Sequence, residues 1–455
     1  MHHHFDGTLT ERDHKRHIAH DIHVPDGTTR LEIRFAFAPH IVDGMKNMLC
    51  LSLFDPRGFR GAGHRHGSEH IVTLTADTAT PGYLPGPLPG GLWSVVIDTH
   101  MVMPGEPCVY TLDVSATSEP VAATAPQQTT AQPRPESGGP GWYRGDLHAH
   151  TIHSDAHWDM PDLLAAARAR GLDFVTLTDH NTVSGLPAFA RAAATDLLTM
   201  GGLELTTFWG HALALGTRQW VDWRVQAGQR SMRDIARDVE ASGALFVIAH
   251  PFSPGDPICT GCDWRYAEMM PGNAHAVEIW NGLWNGDTDN EQGLALWYNW
   301  LNEGYRLAAT AGTDAHGPAP ADARPGFNVV HAAARTEQDI LKAVRDGRLY
   351  LSSGPTVSFT AETSGDVIMQ IGDQLPDSSA TLHASWNNGP AHGQARLIVD
   401  GEVHAAASAG AHGDAHWELP RVGRWCVLEL RDSDGLMLAV TNPIFLNGWR
   451  ERTRL

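Results

Sequence analysis

The chain has 455 residues, 42% hydrophobic and 19% charged, with 33 Lys and Arg against 52 Asp and Glu for a formal charge of -19. That length allows roughly three domains with sizeable cores, and the composition is that of a folded globular protein. The acidic balance and the lack of a long basic run argue against nucleic-acid or anionic-membrane partners, and no stretch of about 18 apolar residues is present to span a bilayer.

The first residues, Met1-His-His-His-Phe-Asp6, carry no apolar signal-like region and read as a loose end outside any site, so a cytoplasmic location is expected. Residues 1–114 read as a β-sandwich-like domain, with alternating runs at 31–37, 48–54, 71–75, 93–97 and 109–114. Its Pro- and Gly-rich stretch 79–91 fits a structured surface loop, or a flap that lays Tyr83 and Leu84 over a neighbouring site. Residues 115–140, rich in Pro, Ala and Thr, read as a linker.

From Trp142 the rhythm changes to α/β, and 141–355 form the expected central domain. Strand-like runs at 174–178, 245–249, 276–280 and 307–311 alternate with helices in the manner of a parallel sheet. Asp159, Ser231 with Asp234, and Thr336 with Asp339 cap three of those helices, and Gly171, Gly243 and Gly347 stop them. About seven strand–helix units fit, enough for barrel-like closure. After Pro355 the β pattern returns in an expected third domain, 356–455, with a hairpin turning at Asp400-Gly401. The five cysteines are odd in number and widely spread, which suits a reducing compartment. Cys259 and Cys262 have no second pair for a zinc knuckle, leaving a loop disulfide or two free thiols.

Polar residues collect where the central strands end. His148 and His150 leave one strand on the same face, and Asp155 follows. Asp179-His180, Glu204, His211, His250, and Asp314 with His316 come after later apolar runs. Imidazoles and carboxylates converging at strand ends make metal sites, and α/β folds place active sites there.

Asp146-Leu-His-Ala-His150, Ser154-Asp155, Thr178-Asp-His-Asn181, Gly202-Leu-Glu204, Ala249-His-Pro251 and Gly312-Thr-Asp-Ala-His316 resemble, in order and spacing, the PHP (polymerase and histidinol phosphatase) metallohydrolases over residues 141 to about 350. The flanking β segments, with 79–91 and Thr441-Asn-Pro-Ile-Phe445, look more like the branch that contains carbaryl hydrolase. The resemblance implies an amidohydrolase-like, distorted (β/α)7 barrel holding two to three divalent ions, Zn, Mn or Fe. By motif, one ion takes His148, His150, Glu204 and Asp314; a second shares Glu204 and adds His211 and His250; a third takes Asp155, His180 and His316. His153 or His157 could replace Asp155, and Asp146 and Asp179 would orient ligand imidazoles through their free ring N–H.

Two ions bridged by Glu204 would acidify a shared water into a hydroxide nucleophile, with Asp314 holding one ion and His316 or His180 protonating the leaving group. Trp209, Trp280 and Asn281 are placed to line a pocket, with Tyr83 from the flap. Arg324 and Arg265 are the candidate phosphate clamps, although surface positions suit both. A small-molecule substrate is therefore expected. Phosphoester hydrolysis leads, ahead of carbamate, ester or amide hydrolysis and of a non-catalytic metal-binding module.

Overall fold

The computed structural model describes residues 1–120, 138–363, 365–375, 380–419, 423–447 and 449–452. The linker expected at 115–140 falls largely outside them, and its first residues close the strand Cys108–Thr117.

Two four-stranded antiparallel sheets build the N-terminal part. One orders His2–Leu9, Cys108–Thr117, Arg30–Ala38 and Glu69–Thr75; the other orders His17–Val24, Gly91–Met101, Met48–Asp55 and Gly58–Gly63. Strict alternation gives each sheet one apolar face, as in Arg30–Ala38 where Leu31, Ile33, Phe35 and Phe37 are buried. These faces share one core with Leu49, Leu51, Leu53, Val95 and Ile97 of the second sheet. The supposed loose end is a strand. His2–Leu9 pairs residue for residue with Cys108–Thr117, and His4 Nδ1 lies 2.8 Å from Asp113 Oδ1. Three consecutive histidines conceal the alternation of this edge strand.

In the central part the chain is mixed α/β. Gly141–Asp146, Phe174–Leu177 and Leu198–Gly201 run parallel in one sheet, and Leu245–Ile248, Ala276–Asn281 and Ala308–Gly312 run parallel in another. Asp159, Ser231 and Thr336 cap the helices Met160–Ala169, Met232–Ala241 and Glu337–Arg345 as their residue types require. The uniform strand–helix alternation does not hold: five α-helices are present among the described residues, and the ladders do not close into a barrel. Glu204–Thr207 and Gly210–Leu215 form a hairpin over Phe208-Trp209, too tight to carry a helix. Two isolated parallel bridges, Ala149 to Ala315 and His180 to Glu204, tie the two sheets together at the strand ends.

Beyond Pro355 the sheet does not stop. Leu349–Ser352 pairs with Met437–Thr441, and Trp425–Asp432, Gly393–Val399 and Glu402–Ala409 continue the same ten-stranded sheet. Asp400 and Gly401 turn the hairpin between Gly393–Val399 and Glu402–Ala409 with φ of 50° and 91°. The central and C-terminal strands share one core as well as one sheet. A composition shift marks loss of helices, not a break in packing. No helix among the described residues is long and apolar enough to cross a membrane.

Candidate metal centre

Short buried strands deliver each polar residue to one point. The strand Gly141–Asp146 runs on into Leu147–His150, where His150 N–H donates to Ala315 O at 3.1 Å and Thr178 N–H donates to Ala149 O at 2.9 Å. That clamp leaves His148 and His150 fully buried. His250 and Asp314 follow Leu245–Ile248 and Ala308–Gly312 with φ of 28° and 50°. Positive φ is uncommon for residues with a Cβ, and surrounding structure must hold it.

At the middle stands Glu204. Its Oε2 lies 3.2 Å from His148 Nε2, 3.3 Å from His150 Nε2 and 2.9 Å from His180 Nδ1; its Oε1 lies 3.0 Å from His211 Nδ1 and 3.2 Å from His250 Nε2. Asp314 Oδ1 is 2.9 Å from His150 Nε2, and Asp155 Oδ1 is 3.1 Å from His316 Nε2 and 3.4 Å from His180 Nε2. Donor atoms fall in three groups, each within 4.8 Å: His148, His150, Glu204 and Asp314; Glu204, His211 and His250; and His150, Asp155, His180 and His316. All nine residues named from the sequence come together, and His150 joins two groups.

The donor set fits divalent cations. His148 Nε2, both nitrogens of His150, His250 Nδ1, Glu204 Oε2, Asp155 Oδ1 and Asp314 Oδ1 are buried without a hydrogen bond. Native proteins rarely leave such atoms unpaired, and their concentration around Glu204 suits a cation. Burial pushes Glu204, Asp155 and Asp314 up, but the surrounding histidines outweigh it and hold all three well below the usual carboxylate range. Burial, with His180 and His316 nearby, lowers His150 to about 3, leaving a neutral imidazole free to ligate.

Neighbouring groups fix the tautomers. Glu278 Oε2 sits 2.9 Å from His148 Nδ1, the Thr260 carbonyl 3.2 Å from His211 Nε2, and the Asp314 carbonyl 2.7 Å from His316 Nδ1. A proton on each of those nitrogens turns the other lone pair inward. Asp146 and Asp179, expected in this role, brace main chain instead. Asp146 accepts from the N–H of His148 and Thr313, and Asp179 from the N–H of Thr151. They lie too near the strand backbone to reach the rings. His153 pairs with Ser184 and His157 is exposed, so neither replaces Asp155.

A cavity of about 520 Å³ opens onto the centre. Its walls include Met45 and Lys46 of the hairpin Ile41–Val42 and Met45–Lys46, then Met48, Met101, Pro257 and Ile258, with the disulfide Cys259–Cys262 behind. Two further N-terminal residues reach it: His66 Nε2 is 3.0 Å from Asp155 Oδ2, and the His64 ring is 4.5 Å from that of His180. These were not singled out from the sequence, nor was Glu278, whose only signal was a carboxylate inside a buried apolar strand.

The expected pocket residues lie elsewhere, apart from Asn281. Its Nδ2 is 3.3 Å from Asp314 Oδ2 and donates to Glu278 Oε1 at 2.6 Å. Trp280 is fully buried against Trp284, because a bulge between Glu278 and Trp280 shifts the alternation. Trp209 lies on the surface under Lys15. Tyr83 is buried and donates to Leu51 O at 3.1 Å. The 79–91 loop is no flap but a brace: Gly82 N–H donates to Ser184 Oγ at 3.0 Å, while Arg60 and Arg65 hold its carbonyls. Neither Arg324 nor Arg265 lines the cavity, and Arg265 pairs with Asp263 at 2.8 Å.

A PHP domain model matches residues 146–215. No curated protein matches the chain. Among solved structures, a two-domain protein of Bacteroides vulgatus containing a predicted PHP-like metal-dependent phosphoesterase is 17% identical, covering 70% of this chain and 100% of its own, at a TM-score of 0.41. An amidohydrolase of Chromobacterium violaceum is 18% identical over 40% of this chain and 93% of its own, at 0.28. Likenesses at this level say nothing about chemistry, which has to come from the site.

Proposed function

We propose that this chain is a metal-dependent hydrolase of phosphoester bonds in a small-molecule substrate, working with two to three divalent ions of the Zn, Mn or Fe kind. One observation carries the reading: a buried glutamate, Glu204, surrounded by His148, His150, His180, His211 and His250, with Glu204 Oε2, His148 Nε2 and His150 Nε2 unpaired. The PHP match over 146–215 supports it. The bridges Ala149–Ala315 and His180–Glu204 join the two open sheets around the same point, which supports a barrel-like arrangement that stays unclosed.

Bound divalent ions supply Lewis acidity and lower the pKa of water. Two of them would be held by His148, His150, Glu204 and Asp314 and by His211 and His250 beside Glu204, and a third by Asp155, His180 and His316. In a two-ion form His316 remains free to act as the acid. Burial lowers its pKa, but Asp155, with Nε2 3.1 Å from Oδ1, outweighs this and raises it, which suits a proton donor to the leaving group. Lys46, the one Lys or Arg along the cavity among the described residues, would attract an anionic substrate at the rim. The apolar wall of Met45, Met48, Met101, Pro257 and Ile258 favours a second reading, cleavage of a carbamate or carboxylic ester as in the carbaryl-hydrolase branch.

Metal-reconstituted protein should be assayed on p-nitrophenyl phosphate, bis-p-nitrophenyl phosphate and a 1-naphthyl carbamate. Phosphate turnover supports the first reading and carbamate turnover the second; inertness toward all three with metal bound overturns both. Glu204→Gln should lose bound metal and at least about 100-fold of turnover. Unchanged metal content would refute the centre itself.

A further inference from the structure

The N-terminal sandwich presses a second set of ligand-type side chains against this centre. Cys50 on Met48–Asp55, His64 just after Gly58–Gly63, and His100 on Gly91–Met101 come from three adjacent strands of one sheet. They are 3%, 6% and 1% exposed, and one donor atom from each lies within 4.8 Å of the others. Cys50 Sγ is 3.9 Å from His64 Nδ1, and the His64 and His100 rings are 4.9 Å apart. Buried His100 Nδ1 has no hydrogen-bond partner. Burial raises the Cys50 thiol, and the main-chain N–H of Arg65, donating to Sγ at 3.4 Å, works against that. A thiol and two imidazoles are a poor way to fill a buried space beside the sheet that small apolar residues would fill without an unpaired nitrogen.

We propose that Cys50, His64 and His100 form a separate zinc site, with a fourth position open to the cavity that His64 lines. Zinc bonds of about 2.3 Å to sulfur and about 2.0–2.1 Å to nitrogen put tetrahedral S and N donors about 3.6 Å apart, so the observed 3.9 Å needs only a small contraction. Thiolate with imidazole selects a borderline-soft ion over Mn or Mg, whereas the carboxylate-containing centre beside it accepts harder ones. Binding displaces the Cys50 thiol proton to solvent. The chain would thus hold a mixed metal set, its zinc separated from His180 by the tilted His64 ring. None of the three ligands belongs to the Glu204 centre, so this site stands or falls independently of the proposed hydrolysis.

The test uses the full, unreduced chain, which keeps Cys259 and Cys262 paired. Chelator-stripped protein titrated with Co(II) should develop a near-ultraviolet thiolate-to-cobalt charge-transfer band worth one equivalent. Cys50→Ser should abolish the band and remove one equivalent of bound zinc, leaving the equivalents at Glu204 in place; His100→Gln should remove the same equivalent. X-ray absorption of zinc-loaded wild type needs no variant and should show a sulfur neighbour at about 2.3 Å. Absence of band and sulfur in wild type, or a band that survives Cys50→Ser, overturns the proposal.

Discussion

Glu278→Gln should weaken metal binding at His148 by about 10- to 100-fold, the usual cost of losing a carboxylate behind a ligating imidazole. The two oxygens of Glu278 have separate duties: Oε2 faces His148 Nδ1 at 2.9 Å, and Oε1 accepts from Asn281 Nδ2 at 2.6 Å. An amide has one oxygen for the two positions. If its NH2 faces His148, the imidazole must take the other tautomer and turn a proton at Nε2 toward the ligand cluster. If its NH2 faces Asn281, that amide must flip and point its oxygen at Asp314 Oδ2, now 3.3 Å away. Each outcome misplaces one buried hydrogen bond, about 1–3 kcal/mol, matching the 10- to 100-fold range. The assay is competition against a chromophoric chelator on stripped protein, with thermal unfolding of the stripped variant as the fold control. Wild-type affinity in a folded Glu278→Gln variant would refute the tautomer argument.

Lys46→Ala should raise KM for an anionic phosphoester by about three- to five-fold and leave a neutral ester unaffected, since the side chain is an exposed rim charge; equal effects on both substrates would remove its steering role. Asp256 gives a pH prediction. Burial raises this carboxyl, but His14 and Lys15 outweigh it and bring it to about 2, with Lys15 Nζ 2.9 Å away. Burial lowers Lys15 itself, so the pair's gain lies on the Asp256 side. A folded pKa below the unfolded value of about 3.9 means stability present above about pH 4 and lost as pH falls through about 2. Allowing for partial exposure, the gap between wild type and Asp256→Asn in denaturant unfolding should shrink by about 1–2 kcal/mol over that window. A constant gap would contradict the linkage.

What could be read from the residues, and what could not, follows from how local each signal is. His148, His150, Glu204, His250 and Asp314 interrupt apolar strands at their ends, so their convergence was legible without coordinates. Glu278 sits within its strand, where a carboxylate reads as an oddity until His148 appears opposite. Trp280 was misplaced by a single bulge, which no alternation count reveals. The cavity walls come from residues 44–48, 101 and 257–262, which meet only through the packing of the sandwich on the central sheets. Helix caps were legible because each is fixed within four residues. The barrel count failed at Phe208-Trp209, where a hairpin stands in for a helix.

The sheet that runs unbroken past Pro355 also sets an order of events during synthesis. Leu349–Ser352 gains its second neighbour only from Met437–Thr441, and Asn442 reaches across to hydrogen-bond both the N–H and the carbonyl of Ala309, at 2.8 and 3.0 Å, in the strand that leads to Asp314. At about 5–20 residues per second, the ribosome takes about 5–20 s to deliver that partner after residue 352 has been made. For that interval the ligand-bearing strands wait beside an open edge, while the N-terminal sandwich already has every strand it needs. The half that carries the candidate metal centre therefore completes its sheet after the N-terminal sandwich does, and is the half with an open edge to protect in the interval.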